Sequence, residues 1–320
     1  MTSANASRPT VVVAMGGHAF MLAGETGSYA ETMRNARAIC KELMTLVERD
    51  YSVVITHGNG PQVGRRLDQT EHARAEVPPM PLDVLVAETE GSLGYFLQTS
   101  LLNELRARDI RRYVVTMVTQ VLVDPGDPAF ANPQKPVGPF LSQEKAEEQR
   151  DRFGWTIGTD KRGWRRLVPS PKPLKVIQRK MVREAAGAGH IVVAAGGGGI
   201  PVTLGEANDY VGVEAVIDKD LTSSVLATDV GADLLVILTA VDAVSLDWGT
   251  PNEQRLGAVT LAECERYIQG GHFPPGSMGP KVEAIFGFLQ RGGRRGLITS
   301  PAALADALDG KAGTHFVGRI

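Results

Sequence analysis

Three lysines stand in surroundings that suit the handling of an anion. Lys135 lies in NPQKPVGP, Lys219 lies between two acids in VIDKDLTSS, and Lys281 lies at the start of a predicted helix in PPGSMGPKVEA. Asp218 and Asp220 can orient Lys219 by ion pairing, and a cation near a helix N-terminus is unfavourable unless an anion binds there. A lone lysine is ordinarily a solvated surface charge, and that interpretation stays open for each. Several cations around one pocket are what phosphoryl transfer needs, because its transition state spreads negative charge over three oxygens.

Three glycine-rich turns that follow apolar runs could form such a pocket. They are AMGGHAF (14–20), THGNGPQVG (56–64) and AAGGGGIPV (194–202). Without a Cβ, glycine lets backbone N–H groups face an anion. In a parallel sheet the carboxyl ends of the strands share one edge, so we expect the turns to meet there. None matches GxxxxGK[ST] or GxGxxG, so any nucleotide site has another design.

The elements that must position these residues follow from the apolar patterns. Strands are predicted over 10–15, 51–58, 113–123, 190–197 and 233–242. Helices are predicted over 28–50, 82–108, 172–189, 220–230 and 281–291. Ser28 and Glu31 form a capping box, and Gly231 suits the end of a helix. The alternation predicts an α/β fold with an open, mainly parallel sheet and helices on both faces. The last strand runs into residues 239–242, which either meet a nucleotide or form an ordinary turn.

Residues 124–173 interrupt the alternation. Their prolines and glycines exclude long helices, yet Trp155 and Trp164 lie among them. We predict an excursion from the main sheet with short β structure and its own small core. The alternative is a long surface loop, which is unusual inside a compact domain.

Composition excludes several classes of protein. The 320 residues are 43% hydrophobic and carry a formal charge of −2, which disfavours a nucleic-acid partner. No apolar run reaches the roughly 20 residues that span a bilayer, and the first residues do not resemble a signal peptide. Cys40 and Cys264 show no metal spacing and are expected to be core thiols. We therefore expect a cytoplasmic protein without membrane contact.

The motifs also resemble a known family. GG-A, THGNGPQVG, PLDVLVAETEGSLGY, DPAFANPQKPVGP, VPSPKP, GGGGIPV, GVEAVIDKDL, ILTAVDAV and GSMGPKVEA follow in the order found in carbamate kinases, over residues 11–316. The resemblance implies one amino acid kinase domain over 1–320, an α/β/α sandwich whose residues 124–173 form a protruding subdomain. It also implies a homodimer in arginine metabolism that uses Mg²⁺ and interconverts ATP and carbamate with ADP and carbamoyl phosphate.

The resemblance further implies residue roles. Lys219 and Lys281 would stabilise the transferred phosphoryl group, Lys135 would close over carbamate, and Asp218 and Asp220 would hold the lysines. The acceptor and phosphoryl oxygens would contact Gly16, Gly17, His18, Gly58, Asn59 and Gly60. The nucleotide would contact Lys219, Thr239, Ala240, Asp242, Met278 and Lys281. No side chain is assigned to metal binding, and no general base is needed. The helix over 82–108, with Gly91 and Gly94 allowing close approach, would lie in the dimer interface.

Three positions depart from the family pattern. His18 replaces a usual asparagine, which is consistent with a tolerated change, a pocket for another acid, a shifted pH dependence or lost catalysis. Ser245 stands where an aromatic residue is frequent, which would loosen adenine stacking, and Ser92 replaces a frequent methionine. The competing functions are therefore a kinase for another small acid and a non-catalytic sensor of nucleotide or carbamoyl phosphate. His57 is expected to anchor a loop and not to take part in catalysis.

Overall fold

The computed structural model describes residues 8–22, 24–160, 163–274 and 276–318; the side chains of His18, Pro139 and Asp160 are not described. The strands of this part of the chain are β1 (Thr10–Met15), β2 (Ser52–His57), β3 (Val114–Thr116), β4 (Gln120–Val123), β5 (Lys135–Leu141), β6 (Thr156–Asp160), β7 (Gly163–Val168), β8 (Pro173–Val176), β9 (Ile191–Val193), β10 (Ile200–Leu204), β11 (Tyr210–Gly212), β12 (Leu234–Leu238), β13 (Ser245–Leu246), β14 (Gln254–Arg255), β15 (Ala258–Thr260), β16 (Arg295–Thr299) and β17 (Thr314–Val317).

Helices alternate with many of these strands. They are α1 (Tyr29–Glu48), α2 (Gly60–Ala73), α3 (Leu82–Ala107), α4 (Pro128–Ala131), α5 (Gln143–Phe153), α6 (Arg179–Gly187), α7 (Lys219–Val230), α8 (Leu261–Gln269), α9 (Met278–Gln290) and α10 (Leu304–Leu308). Short 3-10 turns cover Gly17–Ala19 and Gly196–Gly198. No helix in the described residues is both long and apolar enough to cross a membrane.

An eight-stranded sheet in the order β15-β17-β16-β12-β1-β2-β9-β3 forms the centre of the fold. Its central pairs are parallel, and only the β16–β17 pair is antiparallel. Along β1, Val12 belongs to one apolar cluster, whereas Val11 and Val13 belong to another. Side chains that alternate between two clusters show that both faces of the sheet are covered. The predicted α/β fold with a mainly parallel sheet is confirmed.

Two predicted elements are wrong in part. The run 113–123 is not one strand, because β3 lies in the main sheet and β4 lies in a second sheet, β11-β10-β4-β8. The predicted helix over 172–189 begins only at Arg179, after β8. Pro171 and Pro173 explain the late start, because proline lacks an N–H donor and disfavours helical geometry in the preceding residue.

The segment 124–173 contains the expected short β structure, but it also contains a helix, and the prediction that it has its own small core is wrong. β5, β7 and β6 form an antiparallel sheet, and α5 is a helix of 11 residues that the proline and glycine content had argued against. All prolines and glycines of this segment lie outside SQEKAEEQRDRF, so Ser142 can cap α5 and Gly154 can end it with a φ of 68°. Val137 packs in one cluster with Val63 and Leu67 of α2. The segment therefore shares its core with the main body.

Local signals at helix ends are confirmed. The Ser28–Glu31 capping box starts α1, and Gly231 ends α7 with a φ of 70°. Cys40 and Cys264 are free and buried, as expected, and burial raises the pKa of both thiols. Two helices were not predicted from the sequence: α2, which follows the second glycine turn, and α8, which follows β15 directly.

Candidate active site

The first two glycine turns touch each other at the carboxyl ends of β1 and β2. The N–H of Gly58 donates to the carbonyl of Met15 at 2.8 Å. A Cβ added to Gly58 would lie only 2.7 Å from the amide nitrogen of Gly17 and 3.4 Å from Cδ of Lys219. A larger residue would force these groups apart. The predicted meeting of the turns beside a lysine is thus present.

Asp220 lies between two of the three predicted lysines. Its carboxylate pairs with Nζ of Lys219 and accepts a hydrogen bond from Nζ of Lys281 at 2.9 Å. Burial by itself would raise the pKa of Asp220, but the two ammonium groups lower it to about 2. Burial and the neighbouring Lys281 lower the pKa of Lys219, against the effect of Asp220. The cluster holds two cations and one anion in a largely buried position.

Asp218 does not pair with Lys219 as the sequence had suggested. Its carboxylate caps α7, because it accepts the N–H groups of Asp220 at 2.9 Å and Leu221 at 3.3 Å. The same side chain lies 3.4 Å from Nζ of Lys135, which also donates to the carbonyl of Ile217 at 3.2 Å. Asp218 therefore orients the lysine of β5, and all three lysines converge near the start of α7.

A cavity of about 640 Å³ lies beside the cluster. It is lined by Gly16, Thr239, Ala240, Trp248, Met278 and Lys281. Thr239, Ala240 and Met278, which were predicted to contact only the nucleotide, therefore line this cavity. Lys281 links the cavity to the charge cluster. Asp242 is different, because its carboxylate accepts from Oγ of Ser300 at 2.5 Å and lies outside the lining.

Trp248 is an exposed residue of this cavity that sequence reasoning missed. The residue is 58% exposed, whereas Ser245, also in the lining, is buried. A large flat side chain at the mouth of an apolar cavity can stack on a planar ligand. The signal available in the sequence was an aromatic residue three positions after Ser245, at the carboxyl end of β13.

A second cavity of about 1150 Å³ opens between the main body and β5. Gly60, Lys135 and Asp218 line it, and Gly276 lies in the lining of both cavities. A Cβ on Gly60 would meet open space among the described residues. The two cavities flank the lysine cluster, so one can hold a donor and the other an acceptor.

The predicted substrate contacts of the Asn59 and His18 side chains stay predictions. The side-chain amide of Asn59 is buried and donates to Oγ1 of Thr89 at 2.9 Å. His18 lies in the 3-10 turn, but its side chain is outside the described residues. His57 is fully buried, with Nδ1 at 3.2 Å from the carbonyl of Gly58, and burial lowers its pKa to about 4. It is a neutral anchor of the loop, as predicted.

Comparisons with known proteins identify the family. The model of the amino acid kinase family matches residues 9–300. A carbamate kinase from Thermococcus kodakarensis is 46% identical over 96% of this chain and 98% of its own. The chain belongs to the amino acid kinase family. A carbamate kinase-like protein from Escherichia coli, YahI, is also similar, with 43% identity over 96% of this chain and 98% of its own.

The fold of this amino acid kinase is also that of a solved structure. A carbamate kinase from Giardia lamblia bound to AMP-PNP superimposes with a TM-score of 0.91 and 39% identity, covering 98% of this chain and 99% of that chain. The similarity extends over almost the full length of both proteins. It therefore includes the segment 124–173 and the edge of the sheet that carries the lysines.

Proposed function

We propose that this amino acid kinase is a carbamate kinase, which transfers a phosphoryl group between ATP and carbamate. The observation that carries the proposal is the Lys219–Asp220–Lys281 cluster at the meeting point of two glycine turns, between two cavities. The relatives named carbamate kinase support the choice of acceptor. The non-catalytic alternative is disfavoured because the lysines and their carboxylate partners are all in place.

The lysine cluster supplies the charge that the reaction needs. Two lysines and one aspartate leave one net positive charge on largely buried side chains, where electrostatic interactions are strong. An oxygen of carbamate would attack the γ-phosphorus, the new P–O bond would form, and the bond to the β–γ bridging oxygen would break with ADP as leaving group. Because the attacking oxygen is already ionised, no side chain has to remove a proton.

Each element would have a separate task in this transfer. Lys281, which lines the nucleotide-sized cavity, would contact the phosphates of ATP or ADP. Lys219 would contact the phosphoryl group in flight, beside backbone N–H groups of the turns at Gly17 and Gly58. Lys135, on the segment 124–173, would close over carbamate from the second cavity. We propose that this segment acts as the mobile subdomain of the enzyme.

Magnesium fits this site as a companion of the nucleotide. The described residues contain no group of three or more His, Cys, Asp or Glu side chains that could hold a metal ion. Asp220 is already neutralised by two lysines, which makes it a poor ligand for a cation. Mg²⁺ in phosphoryl-transfer enzymes is commonly held largely by substrate phosphates and water. When bound there, it would supply further neutralisation of phosphate charge.

The first test is ATP formation from ADP and carbamoyl phosphate with Mg²⁺, using the wild-type protein beside His18→Asn. Strong wild-type activity that changes little on substitution supports carbamate kinase and makes His18 a neutral replacement. Weak activity that asparagine restores favours a kinase for another small acid. No ATP from either protein, with nucleotide still bound, favours the sensor. Lys219→Ala should lower an authentic activity by about 10²–10³-fold, by analogy with other lost charge-stabilising donors.

We also propose a homodimer whose interface includes α3. Tyr29, Tyr95 and Leu102 are exposed on α1 and α3, and the ring of Phe96 contacts both tyrosines. Gly94 does not serve this face, because a Cβ there would lie 2.2 Å from Cγ2 of Thr116 within the same chain. Sedimentation of wild type and Tyr95→Glu should give a dimer and a weakened dimer.

The cytoplasm and arginine metabolism are the setting that such a kinase would have.

A further inference from the structure

Glu90 is a buried carboxyl group on α3 that the proposed transfer does not use. It is 1% exposed, and no substrate contact was predicted for it. Burial raises its pKa to about 7, although hydrogen bonds from Thr119 and Gly196 oppose this shift. A buried carboxyl group is costly unless hydrogen bonds satisfy its oxygens, so the partners of Glu90 show what it holds in place.

Its hydrogen bonds go to Thr119, which precedes β4, and to Gly196 in the third glycine turn. Oε2 accepts the N–H of Thr119 at 2.9 Å, and Oε1 accepts the N–H of Gly196 at 2.9 Å. Oε1 also lies 2.6 Å from Oγ1 of Thr119, which in turn accepts the N–H of Ala195 at 2.7 Å. Glu90 and Thr119 therefore bind two successive amides at the start of the turn.

A count of hydrogen atoms shows which form of Glu90 completes this network. The hydroxyl of Thr119 has one hydrogen but faces two acceptors, Oε1 of Glu90 and the carbonyl of Met117 at 2.8 Å. If Glu90 is protonated, its O–H donates to Thr119, and the hydroxyl of Thr119 donates to Met117. Every contact is then satisfied at once. If Glu90 is ionised, the single hydroxyl hydrogen of Thr119 can reach only one of the two acceptors, and the other receives no hydrogen bond from it.

The turn that this network holds has an unfavourable backbone. Ala195 has a φ of 51°, in the left-handed region that residues with a Cβ rarely adopt. Gly197, Gly198 and Gly199 continue with φ values of 70°, 95° and 83°. Such a conformation persists only where surrounding contacts determine it. The bonds to Ala195 and Gly196 are those contacts at its first two residues.

This glycine turn contacts both Asn59 of the second glycine turn and the helix α7, which starts at Lys219. A Cβ on Gly197 would lie 2.2 Å from Nδ2 of Asn59, the residue that precedes α2. The carbonyl of Gly198 accepts from Oγ1 of Thr222 at 2.8 Å, in the first turns of α7, the helix that starts at Lys219. Thr89, the neighbour of Glu90, holds Asn59 directly. A displacement of this turn would therefore shift the second glycine turn and Lys219 relative to each other.

We propose that Glu90 is a positioning residue, which holds the glycine turn at 195–199 and through it sets the distance between the second glycine turn and the start of α7. The inference rests on the proposed function, because it assigns the turn to phosphoryl transfer. Glu90 touches neither cavity lining, so it acts only through its neighbours. The nucleotide cavity is built from other segments, which predicts an effect on kcat with little effect on nucleotide binding.

The test compares Glu90→Gln and Glu90→Leu with the control Glu88→Gln. Glu88 lies two residues earlier on α3 and forms a partly exposed ion pair with Arg66. In the ATP-forming assay, Glu90→Leu should lower kcat by about 10–100-fold, with KM for ADP changed by less than about threefold. Glu90→Gln keeps two of the three bonds and should recover part of kcat. Glu88→Gln should match the wild type.

Hydrogen exchange of the full-length protein supplies a readout that does not depend on activity. Amides at 195–199 should exchange about 10-fold faster or more in Glu90→Gln than in Glu88→Gln, with other glycine turns less affected. Wild-type kcat in a folded Glu90→Gln protein together with unchanged exchange would overturn the proposal. So would a uniform rise in exchange along the chain, which indicates a general stability effect. If the wild type makes no ATP, the proposed function fails. Faster local exchange in Glu90→Gln would then still support the role of Glu90 in holding the turn at 195–199.

Discussion

The edge of the main sheet and the segment 124–173 hold their charges in opposite ways. At the sheet edge, the side chains of Lys219 and Asp220 are only 11% and 4% exposed. On the segment, Lys135 reaches the partly exposed Asp218 through longer contacts of 3.2 Å and 3.4 Å. Buried charges are strongly coupled, whereas exposed pairs contribute little and can separate at low cost. The difference suits a fixed phosphate site and a closing acceptor site.

The packing of the two regions follows the same division. The strands of the main sheet are buried in two large apolar clusters. Around the segment, arginines lie over aromatic rings, with Arg74 at 4.3 Å from the ring of Phe153 and Arg166 at 4.8 Å from that of Trp155. Cation–π contacts are worth about 0.5–2 kcal/mol each, with the larger values for desolvated pairs. These contacts supplement a small apolar cluster, formed by Val137 with Val63 and Leu67 of α2, that the segment shares with the main body.

The largest effect is expected from removing the negative charge at the sheet edge. Asp220→Asn keeps the shape but leaves Lys219 and Lys281 without a counter-charge in a buried site, so both would move or lose a proton. We expect kcat for ATP formation to fall by about 10²–10³-fold. Asp306→Asn, at an exposed position of α10, is the control and should behave as wild type. Near-normal kcat in Asp220→Asn would remove the cluster from the mechanism.

A second prediction concerns two buried groups at the same edge whose pKa values move in opposite directions. His57 has a pKa lowered from 6.5 to about 4, so the unfolded chain binds more protons between these values and stability rises with pH. Glu90 has a pKa raised from 4.5 to about 7, so the folded chain binds more protons and stability falls with pH. Across its own range, each group changes the free energy of unfolding by on the order of 3 kcal/mol. The two changes have opposite signs, so they offset each other in the wild type.

Single substitutions should reveal how each group changes the free energy of unfolding with pH. In Glu90→Gln only His57 remains, so the free energy of unfolding should rise between pH 4.5 and 6.5. In His57→Gln only Glu90 remains, so it should fall over the same range. Urea unfolding at several pH values measures both, with Glu88→Gln as control. Parallel curves for all four proteins would show that the burial of these groups does not govern stability.

A smaller effect is expected from the lysine on the segment 124–173. Lys135→Met should raise KM for carbamoyl phosphate by about 10-fold, because one cation of the closing side is lost, while the free energy of unfolding changes by less than about 0.5 kcal/mol. Steady-state kinetics and urea unfolding measure the two effects. Lys145→Met, an exposed lysine on α5 of the same segment, should change neither. A large loss of stability in Lys135→Met would mean that the segment is not free to move.

The smallest expected effect is at the mouth of the nucleotide cavity. Trp248→Ala should raise KM for ADP by several-fold, which corresponds to about 1 kcal/mol of lost stacking, and Trp248→Phe should keep most of the affinity. The other tryptophans, Trp155 and Trp164, lie on the segment 124–173. A change in fluorescence on adding ADP should therefore be lost in Trp248→Ala. Its persistence there would indicate that the nucleotide does not reach Trp248.

Much of the fold follows from short stretches of the sequence. The apolar runs of β1, β2 and β12 and the capping box of α1 are properties of consecutive residues, because strand and helix periods are local. The glycine turns and the three lysines were likewise visible from residue type and spacing. The strand predicted over 113–123 shows the limit of this local argument, because β3 and β4 are equally apolar but belong to different sheets.

The sequence by itself determined the alternation of elements, the cationic residues and the glycine turns. Only the tertiary structure decided which acid meets which lysine: Asp218, adjacent to Lys219, turns instead to Lys135, whereas Asp220 binds Lys281 across 61 residues. It also decided that Glu90 binds Gly196, which lies 106 residues away. The physical reason is that such pairs depend on where crossover connections return the chain, and no local period or propensity encodes that distance.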